Sequence, residues 1–509
     1  MRTVYDLIIL GSGAGGSTLA YALRQTGMKI LVVERGDFLP KEPQNWDTRA
    51  VFGQRRYRTT EVWRNADSGR RIHPTEYYFV GGKTKLFGAA FLRLRQRDFE
   101  TLEHCEGISP EWPVTYQEME PYYARAEQLY RVHGTAGADP TEPARSAPYP
   151  YPALPHGDYI QQLTARLREQ GLQPFPIPLG LDYRDGGRCL YCKTCDGYPC
   201  QVDAKSDAET CCLRPALESG NVDVLVNAFA KRLLVGADGR IESVEVEQDG
   251  TTQSLRAGQF VVACGAIPSA ALLLRSKCAS HPQGLANSSG LVGANLMFHN
   301  CTGMVGIHFT RRNTAEFQKT LTLTDYYFSG PDWPYPLGTI QFLGFYPLQY
   351  GGMPGLGRWL NSRSIQFFSM SEDLPDPQNR VLSDDSGRIR LRYRPNNLRT
   401  HRRLVRLATR HFRRAGFSLV LSRIVPQPHQ AGTHVCGTAR FGHDPRTSVL
   451  DPYCRTHDVS NLFVVDASFF PSSGAVNPAL TIVAQALRVG DHLARSDLRT
   501  VPRAMSPEA

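Results

Sequence analysis

The chain has 509 residues, 41% hydrophobic and 21% charged, with a formal net charge of +10. That length exceeds what one core supports, so two or more domains are expected, and the composition excludes a disordered or collagen-like chain. No apolar run approaches the roughly 18 residues needed to cross a bilayer. Without a recognisable nucleic-acid module, the positive charge does not point to DNA or RNA.

Residues 6–10 form a short apolar run suited to a buried parallel strand. The run starts too near Met1 to leave room for a removable signal peptide, which makes the cytoplasm the expected location. The turn that follows, GSGAGG, carries Gly11, Gly13 and Gly16 in G-x-G-x-x-G spacing. In such a turn the first glycine permits the tight bend and the second lets backbone approach a phosphate. The third lets the next helix pack on the strand. That helix is expected from Ala14 to Thr26, ended by Gly27, and its N-terminal N–H groups and dipole favour a phosphate. A second strand, KILVVE, ends at Glu34, where a carboxylate can bond an adenosine ribose hydroxyl. This βαβ frame indicates a dinucleotide site but does not separate FAD from NAD.

Further along, VGGKTKLFGAAFLRLR places Gly81 and Gly82 for close approach to a ligand, and Gly88, Ala89 and Ala90 leave room beside one. The proline- and tyrosine-rich APYPYPALPHG is the clearest irregular connector. Next comes CLYCKTCDGYPC, with Cys189, Cys192, Cys195 and Cys200. Its C-x2-C-x2-C spacing resembles the start of an iron–sulfur run, although the fourth cysteine follows after four residues rather than three. The spacing is too compact for two separated zinc pairs, and structural disulfides do not suit a cytosolic chain. An iron–sulfur cluster and reduced thiols in a surface loop both fit this segment.

A strand is expected over 222–235, then a β-ribbon through Arg256, then a strand, glycine turn and helix in QFVVACGAIPSAALLLRS. From Cys301 to Phe368, alternating segments such as GTIQFLGFYPLQ suit an antiparallel sheet. Tyr326, Tyr327, Phe342, Phe345 and Tyr346 fit either an aromatic substrate pocket or the core of that sheet. Residues 399–416 read as a basic amphipathic helix that packs through Leu404, Leu407 and Phe412. Its outer face is either simply solvated or a dock for an acidic electron acceptor or anionic lipid. THVCGTARFG then puts His434 in an H-x-x-G-T unit. The closing strand ends at Asp466, and Asn477 and Pro478 suit the cap and first position of a final helix.

Taken together, the GSGAGG turn with Glu34, VGGKTKLFGAAFLR, CGAIPSAALLL, the unit at His434 and the closing DASFFPSSGAVNPALT resemble the glucose–methanol–choline oxidoreductase family. The resemblance runs over almost the whole chain. It implies an α/β fold, a doubly wound FAD-binding domain assembled from separated segments, with a second, substrate-binding domain built on an antiparallel β-sheet with helices. The expected partition is 1–95, 205–300 and 430–495 for the FAD domain, 96–204 for a lid region with the cysteine-rich insert, 301–429 for the substrate domain, and 496–509 for a polar tail.

The resemblance also implies FAD rather than NAD. FAD is expected to be non-covalent, because KTKLFGAA lacks the histidine to which some members attach the flavin. Where the family usually has serine or cysteine after the paired glycines, this chain has Lys83, Thr84 and Lys85. The family's cofactor contacts carry onto Gly11, Gly13, Ala14, Gly15, Gly16, Glu34, Arg35, Gly81, Gly82, Thr84, Ala230, Gly265, Asp466, Ala467 and Pro478. His434 resembles the catalytic base and Asn477 its hydrogen-bonding partner. The implied reaction is oxidation of an alcohol or sugar, with electrons passed to a quinone, cytochrome or oxygen. Two rivals are a hydroxynitrile-lyase-type member, in which FAD does no redox work, and a non-catalytic flavoprotein that docks to a partner.

Overall fold

In the computed structural model, residues 5–345, 347, 356–384, 386–424 and 434–495 are described. The 496–509 tail and Tyr346 lie outside them.

The chain opens with β1 (Tyr5–Leu10), α1 (Ala14–Leu23) and β2 (Ile30–Val33), whose strand residues are all buried except Asp6. Continuous apolar runs of this kind suit strands covered on both faces. Helix α1 stops short of the expected Thr26, where the Thr26 amide and hydroxyl both donate to the Leu23 carbonyl, at 3.0 and 2.7 Å. A threonine competing for that carbonyl ends the helical ladder.

The expected strand over 222–235 is two strands, β3 (Val222–Leu225) and β4 (Ala228–Val235). Between them Asn227 takes a left-handed conformation, φ 54°, which asparagine tolerates and which turns the chain. β4 continues into the ribbon of β5 (Ile241–Gln248) and β6 (Thr251–Val262), followed by α2 (Ala266–Arg275). The second layer contributes β7 (Asn300–Ile307), β8 (Leu321–Leu323), β9 (Thr339–Phe342), β10 (Ser364–Ser371), α3 (Leu398–Arg414) and β11 (Leu419–Ile424). The chain then returns through β12 (Leu462–Val464) and α4 (Ala479–Arg495).

The first sheet runs β3-β2-β1-β6-β5-β4, with β12 also paired to β6. β6 serves two purposes. Its first half pairs antiparallel with β5 and its second half runs parallel between β1 and β12. The register sets Leu10 beside Val33 and Val262, and Val262 beside Val464. The parallel strands β3, β2, β1, β6 and β12 therefore end at one carboxyl edge, where open α/β sheets place their ligand crevice.

The second sheet is antiparallel, in the order β11-β7-β10-β9-β8, with Phe175–Pro176 at its edge. α3 lies on it through Leu404, Leu407, Ala408 and Phe412, and the Phe412 ring stacks on Phe367 at 3.9 Å. Its arginines line the opposite side, as the sequence periodicity predicts. No helix among the described residues is long and apolar enough to cross a membrane.

Candidate active site

The glycine turn is built by close backbone contact. A Cβ on Gly11 would meet the Ala263 carbonyl oxygen at 2.4 Å, one on Gly16 the Gly11 oxygen at 2.0 Å, and one on Gly15 the Val465 oxygen at 1.8 Å. Gly15 thus fits the head of the chain against its tail. Gly13 differs, because a Cβ there would meet nothing within 4 Å among the described residues. The same holds for Gly265, which opens α2 at φ +92°. Gly82 lies against Gly13, its own Cβ position 3.2 Å from the Gly13 Cα. Open space at Gly13 and Gly265, bordered by the paired glycines, is the cradle a dinucleotide would fill.

Polar groups tie these loops together. Glu34 accepts from the Ser12 hydroxyl at 2.6 Å, the Ser12 amide at 3.0 Å and the Gly36 amide at 3.0 Å. The Ser12 hydroxyl in turn accepts from the Gly81 amide at 3.1 Å. Ser12 therefore links the fingerprint, the acid at the end of β2 and the paired glycines, a role the sequence did not reveal. Burial pushes the Glu34 carboxyl up, opposed by its hydrogen bonds from Ser12 and Gly36.

Asp466 plays the same part where the returning chain meets the fingerprint, its Cα 3.4 Å from the Cβ position of Gly15. It accepts from the Gly265 amide at 2.9 Å, the Ser269 hydroxyl at 2.5 Å, and the Ser468 amide and hydroxyl at 2.8 and 2.5 Å. Of the donors foreseen for it, the protein supplies backbone amides, joined by two serine hydroxyls. Thr84 is likewise engaged by protein. It donates to the Gly81 carbonyl at 2.5 Å and accepts from the Ala208 amide at 3.0 Å.

The Arg35 guanidinium pairs with Glu61 at 3.1 Å and stacks on Tyr78 and Phe229. The Ala230 carbonyl accepts from Arg275, and the Ala467 carbonyl accepts from the Gly437 amide at 3.0 Å. Ala14 begins α1 directly after Gly13.

His434 and Asn477 come together. The Asn477 amide Nδ2 donates to His434 Nε2 at 3.4 Å, and Asn477 Oδ1 is buried with no hydrogen-bond partner among the described residues. α4 begins at Ala479, and the Pro478 carbonyl accepts its first bond, from the Ile482 amide at 3.0 Å. Asn477 is thus spent on the histidine rather than on capping the helix.

The loop before Asn477 is held from three sides. The Tyr327 hydroxyl accepts from the Ala475 amide at 3.1 Å and donates to buried Asp98 at 2.8 Å. Thr339 donates to the Ala475 carbonyl at 3.0 Å, and Glu372 accepts from the Gly474 amide at 3.2 Å. Burial keeps the His434 imidazole well below its ordinary range, and neighbouring His299, Lys319 and Lys83 add to the effect. Both effects disfavour the charged imidazolium.

One expectation is corrected and other open readings are decided. The space beside Gly88 is filled by an ion pair rather than left for a ligand. A Cβ there would meet Lys319 Nζ at 1.8 Å and Asp196 Oδ1 at 2.5 Å, and these two groups pair at 2.8 Å. Ala89 and Ala90 are buried. Phe342 belongs to the sheet core with Phe367 and Phe412, and Tyr326 bonds His411 at 2.7 Å. Lys85 is buried between Asp207 and Glu209, at 3.0 and 2.6 Å, and Lys83 pairs with Glu76 at 2.7 Å.

Of the two readings of Cys189, Cys192, Cys195 and Cys200, the structure favours reduced thiols over an iron–sulfur cluster. All four are free thiols, and among the described residues no three His, Cys, Asp or Glu side chains gather to hold a metal. Burial pushes the Cys189 thiol up to about 11 and Cys195 to about 12. The insert is held by other bonds. Lys205 donates to the Cys195 and Tyr198 carbonyls, both at 2.7 Å, and Asp196 accepts from Lys319 and from the Gly344 amide. It is a polar buttress between the cleft and the second sheet.

A glycine fingerprint at the carboxyl edge of the first sheet and a histidine–asparagine pair on the returning chain are the features of a dinucleotide-dependent enzyme. Comparison with known proteins agrees. The family models described as GMC oxidoreductase match residues 5–301 and 375–486. The chain is 32% identical to a 6'''-hydroxyparomomycin C oxidase of Streptomyces lividus, over 96% of this chain and 92% of that protein. It is 31% identical to a paromamine 6'-oxidase of Streptomyces fradiae, over 95% and 90%. Among solved structures, pyridoxine 4-oxidase from Mesorbium loti superposes with a TM-score of 0.69 at 19% identity, covering 96% of this chain and 99% of that one. The chain belongs to the GMC oxidoreductase family and is an FAD flavoprotein.

Proposed function

We propose that this protein binds FAD without a covalent link and oxidises a CH–OH group of a sugar-like alcohol, with His434 as base and Asn477 as its partner. The observation that carries this is the facing of His434 Nε2 by the Asn477 amide at 3.4 Å, beside an Asn477 oxygen with no partner among the described residues. The two relatives of 31–32% identity are named as oxidases of paromomycin-type compounds, which supports a sugar hydroxyl as substrate.

Gly11, Gly13, Gly82 and Gly265 would hold the cofactor by backbone approach, with Glu34 and Asp466 setting its two flanking loops. FAD supplies the acceptor for a hydride leaving the alcohol carbon. The neutral His434 Nε2 takes the hydroxyl proton, and Asn477 fixes the substrate oxygen by hydrogen bonding and so orients the carbon. The electron acceptor that reoxidises the enzyme would be oxygen, a quinone or a cytochrome.

The test is an anaerobic screen of alcohols and sugars on the purified holoenzyme, scored by flavin bleaching. At least one sugar alcohol is expected to bleach it. His434→Ala should keep its yellow cofactor and slow bleaching by about 10²-fold or more. Full activity in that variant would remove His434 as the base, and cyanohydrin cleavage without bleaching would replace the redox reading altogether.

A further inference from the structure

A second histidine, His299, stands behind His434. The backbones of Met297 and Cys436 form an antiparallel bridge, with N–H to O distances of 3.0 and 3.1 Å. In antiparallel register, the residue two places after Met297 lies opposite the residue two places before Cys436, on the same side. Those residues are His299 and His434. Their Nδ1 atoms are 3.0 Å apart, and the rings stand at 83° with centroids 5.1 Å apart. On its far side, His299 Nε2 lies 3.1 Å from the Ser473 carbonyl oxygen. His299 is almost fully buried, at 3% exposure.

The bond directions are forced. A carbonyl only accepts, so His299 must carry its proton on Nε2 and donate it to Ser473. Neutral His299 then has a lone pair at Nδ1, and the 3.0 Å contact closes as a hydrogen bond only if His434 donates from its own Nδ1. That leaves the lone pair of His434 on Nε2, the atom facing Asn477.

We infer that His299 is a positioning residue that fixes His434 in the Nδ1–H tautomer and so aims its basic nitrogen at the substrate. The Ser473 carbonyl that orients His299 belongs to the same loop that carries Asn477. One backbone segment therefore sets the direction of both partners. The inference rests on His434 acting as the base, but the tautomer can be measured without any substrate.

Two measurements on the holoenzyme decide it. In native protein labelled with ¹⁵N-histidine, with His434 assigned through His434→Gln, neutral His434 should carry its proton on Nδ1. His299→Leu should shift it toward Nε2–H. Kinetically, His299→Leu should retain flavin but lose about 10²-fold or more in kcat, with KM within about threefold, as expected for a base held in the wrong tautomer. His299→Asn, whose side-chain oxygen can accept from His434, should recover to within about tenfold of native. A native His434 protonated on Nε2 would overturn the assignment, as would a kcat for His299→Leu within about threefold of native. If His299→Leu fails to fold, the native spectrum and His299→Asn still settle the matter. Should no alcohol bleach the flavin, the proposed activity fails while the tautomer measurement stands by itself.

Discussion

At the scale of single residues, neighbouring glycines in one motif do different work. Gly15 has no side chain because the Val465 carbonyl occupies that space, whereas Gly13 has none although the protein leaves the space open. Alanine should separate the two roles. At Gly13, where φ is −70° and an alanine is unstrained, the substitution should change apoprotein stability by no more than about 1 kcal/mol. It should still weaken FAD binding at least about tenfold by intruding on the phosphate approach. Gly15→Ala forces Cβ to 1.8 Å from backbone oxygen, and such overpacking costs about 1–3 kcal/mol or more. It should destabilise the protein whether or not flavin is bound. Urea denaturation and flavin titration of both variants check this, and equal behaviour would refute the distinction.

At the scale of elements, the loop between β12 and α4 is held by the second sheet. Ala475 is gripped at both its amide and its carbonyl, by Tyr327 and Thr339, while Glu372 holds Gly474. The Tyr327 hydroxyl is the most consequential of these, because it also satisfies Asp98, whose burial lifts its carboxyl to about 7. Tyr327→Phe keeps the ring but leaves a buried amide and a buried carboxyl short of a partner, at a cost of about 1–3 kcal/mol. Unfolding should shift by that amount. Turnover should also fall, though less than in His434→Ala, because Asn477 stands at the end of this loop. Unchanged stability and turnover would mean that the hydroxyl does not hold the loop.

At the scale of the whole molecule, the first and last helices clasp one another. Gly490, near the end of α4, faces α1 so closely that a Cβ would lie 2.6 Å from the Ala22 Cβ. Two effects compete in Gly490→Ala. Alanine is about 1 kcal/mol better than glycine inside a helix, whereas overpacking against a fixed methyl costs about 1–3 kcal/mol. The steric term should win, because Ala22 sits on a helix anchored by the fingerprint and has no rotamer with which to retreat. The variant should unfold at lower urea and hold flavin less tightly, since prising the helices apart disturbs the Gly15–Val465 contact. A higher midpoint would show that the helices can slide apart without cost.

The family resemblance implied the partnership of His434 with Asn477, and the sequence by itself determined the fingerprint, the acid after β2 and the amphipathic helix on the second sheet. Each is carried by local pattern, namely glycine spacing, apolar runs, periodicity and short motifs in a fixed order. Only the tertiary structure decided what depends on distant neighbours. It showed that Ser12 joins three loops, that Asp196 and Lys319 fill the space at Gly88, and that His299 stands behind His434. The two readings of the cysteine insert stayed open in the sequence for the same reason. Spacing along the chain counts ligands, but metal binding needs those ligands to converge in space, and among the described residues no three do. A residue's spacing sets its local geometry, whereas its partners are chosen by strand register and packing, which no short stretch of sequence contains.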